Sequence, residues 1–241
     1  MGNSCLPLPI LYGLEPLVTN SGLLCGAPGE SERDLCVGCH ADLPLNSQAC
    51  QQCGIPLRYA GTELICGECQ QQPPAFDRTF APLLYQPPVD YLIKGLKFSG
   101  RLAAARLLGE WLGDALQQRG GGLLEYLIPV PLHPSRLREC GFNQSLELAR
   151  PVARRLGIPL LPQGVRRIRH TQPQTQLDAE ARRSNVQGAF AVSRLLQARH
   201  VAILDDVITT GSTVNEIARV LRAAGVEEIE VWACARTSPN R

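Results

Sequence analysis

The sequence of 241 residues predicts an α/β protein with a mainly parallel sheet, preceded by a small cysteine-rich region. Three observations support this prediction. Eight of the ten cysteines lie within the first 69 residues, and a polar, proline-stiffened stretch at 70–74 follows them. A continuous apolar run at 201–204 precedes an amphipathic helical pattern, as in the strand and helix of a parallel sheet. We therefore expect two regions, 1–75 and 76–241.

The cysteines of the first region form three successive C-x-x-C pairs. These pairs are Cys36/Cys39, Cys50/Cys53 and Cys66/Cys69. Two thiolates at this spacing can hold one metal ion from a tight turn, and two such pairs complete a tetrahedron. The second and third pairs are separated by twelve residues, and Gly54 can supply a positive-φ turn beside the sulfurs. This pattern predicts a structural zinc ribbon, and reactive or disulfide-forming thiols are less favoured.

The first cysteine pair needs partners of its own. Cys25 lies eleven residues upstream of the pair, so we expect these three cysteines to form a second zinc site. The position three before Cys25, where a matching pair would place the fourth ligand, is Gly22. Either Cys5 or His40 supplies the missing ligand, or the second site is weak or empty.

The second region reads as alternating helices and strands. Apolar side chains recur at helical spacing from Val89 to Leu116, and three glycines at 120–122 end this stretch. The further predicted elements are a strand at 127–132, a helix at 143–156, and strands at 201–204 and 229–234. Thr213 and Glu216 fit a capping box at the start of a helix that follows the 201–204 strand.

Charge is divided unevenly between the two regions. Residues 1–75 hold two basic and seven acidic side chains, a net charge of −5, so the remainder of this +2 chain carries +7. Ten arginines and no lysine lie between His133 and Arg183, which favours an anionic partner for that segment. The motifs G-x-x-x-x-G-K-[ST] and G-x-S-x-G are absent, which argues against ATPase and α/β-hydrolase activity.

The sequence gives no indication of a membrane protein. No stretch approaches the roughly 18 unbroken apolar residues of a membrane span, and residues 1–12 lack the basic start of a secretory signal. We therefore expect a soluble cytoplasmic protein without membrane insertion.

The most specific chemical pattern lies at 201–213. Asp205 and Asp206 follow the buried strand, and a loop rich in hydroxyl side chains leads into the next helix. The helix start and Gly211 favour a phosphate there, because free N–H groups and the helix dipole attract anions. The two carboxylates would repel a phosphate but can accept hydrogen bonds from vicinal hydroxyls. Phosphate and diol together indicate a ribose 5-phosphate.

These residues carry a resemblance to a known family. The run V-x-I-L-D-D-V-x-T-T-G-S-T resembles the phosphoribosyl pyrophosphate (PRPP) signature of type I phosphoribosyltransferases. Together with residues 131–144, the 171–190 segment and the cysteine-rich start, it resembles the ComF/GntX family of competence-associated proteins. The resemblance implies a type I phosphoribosyltransferase fold behind a double zinc ribbon.

The resemblance also implies roles for individual residues. Asp205 and Asp206 would hold the ribose hydroxyls, and they are the implied catalytic residues. The implied PRPP loop comprises Val207, Ile208, Thr209, Thr210, Gly211, Ser212 and Thr213. Arg136 and Arg138 are the implied clamps on the pyrophosphate, and Cys140 stands where the family usually has another arginine. Residues 169–185 fit a segment that, in the superfamily, closes over the site.

Two functions from different classes follow from the resemblance. The first is an enzyme that transfers the phosphoribosyl group of PRPP, with Mg²⁺, to an acceptor. The second is a non-catalytic module that binds PRPP or single-stranded DNA and works with the proteins of DNA uptake. The arginines between His133 and Arg183 serve either function equally well.

Overall fold

A five-stranded sheet lies at the centre of the computed structural model, which describes residues 21–29, 33–58, 64–120, 124–169, 185–193 and 196–238. The described strands are β1 (Arg78–Phe80), β2 (Leu83–Leu84), β3 (Tyr126–Pro129), β4 (Val165–Arg167), β5 (Phe190–Val192), β6 (His200–Ile208) and β7 (Glu228–Arg236). The described helices are α1 (Val37–Ala41), α2 (Gly67–Gln71), α3 (Val89–Ser99), α4 (Leu102–Arg119), α5 (Pro134–Cys140), α6 (Gln144–Leu156) and α7 (Ser212–Ala223).

The sheet confirms the predicted α/β fold. Its order is β1-β7-β6-β3, β2 also pairs with β7, and every described pairing within it is parallel. β4 and β5 form a separate antiparallel pair. Both β6 and β7 extend beyond the apolar runs predicted from sequence, because their parallel pairing continues to the register of Ile208 with Arg236.

Each face of the sheet is covered by a different set of helices. Helices α3, α4 and α6 pack on one face together with Leu35 and Leu43 of the cysteine-rich region. Helix α7 packs on the other face, beside β5. The single helical stretch predicted from Val89 is divided in two, because Gly100 adopts a left-handed φ of 62° and ends α3.

Helices α4 and α6 approach each other unusually closely. A Cβ atom on Gly109 would lie only 2.7 Å from the carbonyl oxygen of Leu148 and 2.4 Å from Cγ of Pro151. Glycine is therefore required at this crossing, and the contact fixes the position of α6 on the sheet.

The cysteine-rich region is joined to the sheet through backbone contacts. The Thr79 N–H of β1 donates to the Gln51 carbonyl at 2.9 Å. The side-chain amide of Asn46 donates to the carbonyls of Gly54 and Ala81, each at 2.9 Å. The two regions predicted on either side of residue 75 thus share a hydrogen-bonded interface.

The amino ends of β6 and β7 carry a charged cluster. His200, Glu228 and Glu230 lie close enough together to hold a metal ion. However, Arg78 pairs with both glutamates, and Arg119 lies 3.2 Å from Glu230. These arginines already neutralise the carboxylates, so the cluster is an ion-pair network that closes this edge of the sheet.

Among the described residues, none of the helices combines the length and apolar character that crossing a membrane requires.

Candidate active site and metal centres

The four cysteines of the predicted ribbon converge on one point. The sulfurs of Cys50, Cys53, Cys66 and Cys69 all lie within 4.8 Å of one another, and Sγ of Cys53 is 3.6 Å from Sγ of Cys66. A zinc ion with Zn–S bonds of about 2.3 Å separates its sulfurs by roughly 3.8 Å, so the residues fit zinc. The Cys66 N–H donates to Cys50 Sγ at 3.3 Å, which stabilises a thiolate.

Local backbone geometry shapes the turn that follows Cys50 and Cys53. Gly54 has a φ of 71°, and a Cβ there would lie 2.7 Å from the Thr79 methyl group. A hydrogen bond from the Cys53 thiol, opposed by burial, lowers the pKa of Cys50 to about 4, and the same contact raises the pKa of Cys53. Because the Cys53 thiol donates its proton to Cys50, the negative charge lies on the Cys50 sulfur, where a cation can bind.

A second cluster contains three cysteines. Sγ of Cys25 lies 3.4 Å from Sγ of Cys36, and Cys39 completes the group. His40 does not belong to this cluster and instead lines a polar cavity beside Trp111. Of the two residues proposed from sequence for the fourth ligand, His40 is therefore set apart from the sulfurs. The other, Cys5, lies outside the described residues.

Two adjacent carboxylates occupy the carboxyl end of β6. Oδ1 of Asp205 accepts a hydrogen bond from the Ser145 hydroxyl at 3.0 Å and another from the Asp206 N–H at 2.9 Å. Oδ1 of Asp206 accepts from the Val207 N–H at 2.6 Å, and its Oδ2 lies 2.9 Å from Nζ of Lys97. α3 and α6 thus each supply one polar group to the strand end.

The environment of Asp205 opposes its ionisation. Burial, and then the neighbouring charge of Asp206, raise the pKa of Asp205 to about 6. The Lys97 ammonium and the Ser145 hydrogen bond act in the opposite direction. The charge state of this carboxylate therefore depends on the groups that surround it.

A loop and the start of α7 form an open cleft of about 220 Å³ next to these carboxylates. The cleft is lined by Asp205, Val207, Ile208, Thr209, Gly211, Ser212, Thr213 and Val214. Gly211, with a φ of 78°, is the N-cap and has no side chain to cap the helix. The N–H groups of the first turn border the cleft, which is the arrangement that attracts an anion.

Thr210 differs from the other predicted loop residues, because it does not line the cleft. Its hydroxyl lies 2.8 Å from the Ser212 hydroxyl and accepts a hydrogen bond from the Ser212 N–H at 3.4 Å. Thr210 therefore shapes the turn that presents its neighbours to the cleft.

The predicted capping box at the start of α7 is wrong. The helix begins at Ser212, and the Glu216 carboxylate accepts a hydrogen bond from the Gly188 N–H at 2.8 Å. Glu216 also pairs with Arg219 at 2.9 Å. The Glu216 side chain, which the sequence pattern assigned to the cap, instead makes a tertiary contact beside β5.

The buried Arg236 at the end of β7 connects the loop to the zinc ribbon. Its Nε donates to the Cys53 carbonyl at 3.1 Å, and its Nη1 donates to the Ile208 carbonyl at 3.0 Å and to the Thr209 carbonyl. One guanidinium therefore holds the backbone of the ribbon and the backbone of the loop together. Sequence analysis missed this residue, because the predicted strand ended two positions before it.

The segment before α6 is a helix and not an open loop. His133 caps α5 by accepting from the Ser135 N–H at 3.3 Å, which gives this histidine a structural role. Arg136 pairs with Glu139 at 2.7 Å. Arg138 is exposed, and two residues along a helix are about 200° apart, so the two predicted clamps project in different directions.

A further arginine, Arg167 on β4, stands beside the site. Its guanidinium lies over the Phe190 ring, 5.5 Å from the ring centre. Burial lowers the pKa of Arg167, the charge of Asp205 opposes this effect, and Arg136 adds to it. The charges of Asp205 and Arg136 therefore both act on the Arg167 guanidinium. The arginine-rich composition of the segment was the only sequence signal for Arg167.

The predicted closing segment is described only in part. Arg169 donates to the backbone carbonyls of Asn185, at 3.0 Å, and Gln187, at 2.6 Å. Residues 170–184 lie outside the described residues.

Comparison with known proteins places both regions in families. A family described as double zinc ribbon domain matches residues 17–70, and one described as phosphoribosyl transferase domain matches residues 143–238. Competence protein F of Haemophilus influenzae is 40% identical over 213 residues, covering 86% of this chain and 92% of that protein. This chain belongs to the ComF/GntX family. Its fold is accordingly a phosphoribosyltransferase domain behind a double zinc ribbon.

Two further relatives differ in how much of the chain they match. DNA utilization protein YhgH of Salmonella typhimurium is 37% identical over 228 residues, covering 92% of this chain and 100% of that protein. Competence protein ComFC of Streptococcus pneumoniae is 23% identical over 141 residues, covering 58% of this chain and 60% of that protein. The ComF/GntX resemblance seen in the sequence is confirmed.

The four-cysteine cluster generates the first prediction. Replacing Cys50 with Ser should remove the zinc of this cluster and reduce solubility, because a tetrahedral site with three thiolates and a hydroxyl binds zinc poorly. Zinc per chain is measured by plasma mass spectrometry on the purified protein. Cys140→Ser, outside both clusters, should keep its zinc, and full zinc retention by Cys50→Ser would contradict the ligand set.

Arg236 generates the second prediction. Replacing it with Met should lower the free energy of unfolding by about 3 kcal/mol, because buried carbonyls lose a charged donor. Urea denaturation of the zinc-loaded protein measures this change. Arg199→Met is the control, since the exposed pair of Arg199 with Glu227 should contribute little to stability. Equal stability of the two variants would show that Arg236 does not hold the interface.

Proposed function

We propose that the cleft at the end of β6 binds PRPP and that the protein is a PRPP-dependent phosphoribosyltransferase. The observation that carries this proposal is the order of groups along 205–213, where two carboxylates stand directly beside an anion-binding turn. A ligand must offer both hydroxyl donors and a phosphate to match these groups. A ribose 5-phosphate meets both requirements.

The 5-phosphate is assigned to the turn that begins α7. Thr209, Ser212 and Thr213 bring hydroxyl donors to the cleft, and Gly211 lets the backbone approach the anion closely. The positive end of the α7 dipole adds to the attraction. Of the described residues that line the cleft, Asp205 alone carries a negative charge.

The ribose hydroxyls are assigned to Asp205 and Asp206. In the described structure Ser145 and Lys97 occupy one oxygen of each carboxylate. A carboxylate has about four acceptor positions, so each can accept a further hydrogen bond from a hydroxyl. The 2- and 3-hydroxyls of the ribose would thereby fix the orientation of the sugar ring.

The pyrophosphate is assigned to the side of Arg136 and Arg167. Arg167 interacts electrostatically with both Asp205 and Arg136, and guanidinium geometry matches phosphate oxygens. We retain Arg138 as a sequence-based candidate, and its exposed side chain on α5 makes it the weaker one. Bound Mg²⁺ would supply charge neutralisation on the leaving pyrophosphate.

The reaction that these groups support is displacement at the anomeric carbon. The bond from that carbon to the pyrophosphate oxygen breaks, and a bond to the acceptor nucleophile forms. Pyrophosphate leaves with the electron pair, and the proton of the acceptor passes to solvent. Arg136 and Arg167 stabilise the charge that develops on the leaving group, while Asp205 and Asp206 hold the ring in place.

The names of the relatives connect this chemistry with DNA. One relative is named a competence protein and another a DNA utilization protein. We propose that the phosphoribosyl transfer, or the binding of PRPP without transfer, serves the uptake or use of DNA. Release of pyrophosphate upon PRPP addition distinguishes the enzyme from the binding module.

The third prediction tests the site itself. Isothermal titration of zinc-loaded protein with PRPP and Mg²⁺ should show binding, and Asp205→Asn/Asp206→Asn should abolish it, because amides are poorer hydroxyl acceptors. Asp90→Asn on the exposed side of α3 should bind like the wild type. Absence of wild-type binding would overturn the proposal and would make single-stranded DNA at varied salt the next ligand to test.

The fourth prediction separates the pyrophosphate from the ribose phosphate. Arg136→Ala should weaken PRPP binding by about tenfold or more, which corresponds to the loss of a charge-assisted hydrogen bond. Its affinity for ribose 5-phosphate should be unchanged, because that ligand has no pyrophosphate. Arg138→Ala is the matched variant on the same helix and should have the smaller effect. An equal loss for both ligands would place Arg136 elsewhere in the site.

A further inference from the structure

Lys97 is the one described cation in direct contact with the carboxylate pair. Its Nζ lies 2.9 Å from Oδ2 of Asp206, and its side chain is 33% exposed. The residue belongs to α3, which lies outside the 143–238 match to the phosphoribosyl transferase family. Neither the PRPP signature nor the arginine-rich segment includes it.

Lys97 lies where the carboxylate pair requires a nearby positive charge. Two adjacent carboxylates at a buried strand end repel each other, and burial disfavours both charges. A carboxylate that has taken up a proton loses acceptor capacity, and its new O–H competes with the hydroxyls of a ligand. The pair therefore needs a fixed positive charge to stay ionised near neutral pH.

Lys97 can supply that charge. Burial lowers the pKa of Lys97, but the charges of Asp206 and Asp205 outweigh this effect and raise it overall, so the ammonium remains protonated. Its i−3 neighbour Lys94 pairs instead with Asp90, at 2.7 Å, on the exposed side of the same helix. Only one of the two lysines of α3 is thus directed to the strand end.

We propose that Lys97 is a positioning residue that keeps the Asp205–Asp206 pair ionised and oriented to accept the ribose hydroxyls. This inference rests on the proposed function and adds to it a residue from a different helix. Lys97 acts through Asp206 and is not itself assigned a contact with the ligand.

The other groups that face the pair do not replace Lys97. Ser145 of α6 offers a neutral hydroxyl, and Cys234 of β7 has a thiol whose pKa is raised by burial and by the two aspartates. Tyr85, after β2, contributes only weakly to the field at Lys97. Arg167 of β4 interacts electrostatically with Asp205. Among the described residues, Lys97 alone forms an ion pair with either carboxylate.

The test begins with the carboxylates themselves. The ¹³C resonances of the Asp205 and Asp206 side chains are followed against pH in the zinc-loaded wild type, Lys97→Met, Lys97→Arg and the control Lys94→Met. Loss of an adjacent charge should raise the titration midpoint of Asp205 by about one to three pH units in Lys97→Met. Lys97→Arg, which keeps the charge, should restore the lower midpoint, and Lys94→Met should match the wild type.

The second measurement is the affinity for ribose 5-phosphate from pH 6 to pH 9. Lys97→Met should bind about tenfold more weakly than the wild type at pH 7, and the ratio should fall as the pH rises. The sign follows from the raised pKa, because a larger fraction of the variant must lose a proton before it binds. Taking the ratio at each pH cancels the titration of the ligand phosphate.

The outcomes separate this inference from the proposed function. An unchanged carboxylate midpoint in Lys97→Met overturns the role of Lys97, whatever the ligand does. A weakening that is constant from pH 6 to pH 9 also overturns it, because that result indicates direct contact between Lys97 and the ligand phosphate. Failure of the wild type to bind ribose 5-phosphate overturns the proposed function, while the carboxylate titration still decides whether Lys97 controls the pair.

Discussion

The guanidinium of Arg236 is the interaction on which the geometry of the candidate site depends. It reaches the carbonyl of Cys53 on one side and the carbonyls of Ile208 and Thr209 on the other. Burial lowers its pKa, so the arrangement is favourable only while these carbonyls remain fixed around it. The zinc ribbon fixes the first carbonyl, and the pairing of β6 with β7 fixes the others. The four-cysteine cluster thus contributes to the shape of the loop that follows β6.

The charges around the strand end have a consistent arrangement. Acidic side chains lie at the centre, on β6, and they interact with Lys97 of α3 and Arg167 of β4. Each cation belongs to a different helix or strand, so the positive charges lie beside the aspartates only when the chain is folded. The proposed ligand, PRPP, has hydroxyls in its middle and phosphate groups at both ends, and this proposal rests on that pattern of charges. The concentration of arginine between His133 and Arg183 reflects this need.

Sequence analysis predicted the features whose parts are close together in the chain. The four-cysteine spacing and the 205–213 loop are of this kind, since each is complete within about 20 residues. Lys97, Arg167 and Arg236 were not predicted, because only parallel strand pairing and helix packing bring them to the same place. Local rules also failed where a tertiary contact competed, as when Glu216 bonded to the distant backbone of Gly188 instead of capping its own helix.

Two ion pairs of opposite polarity hold the cysteine-rich region to α4. Asp34 pairs with Arg106 of α4, and Arg33 pairs in return with Asp114 of the same helix. The three-cysteine cluster therefore lies against α4, which packs on α6, the helix that carries Ser145 to the site. A region of net charge −5 is a poor surface for a DNA duplex. Any contact with nucleic acid should instead use the arginines of the second region, the segment to which we have assigned the proposed pyrophosphate site.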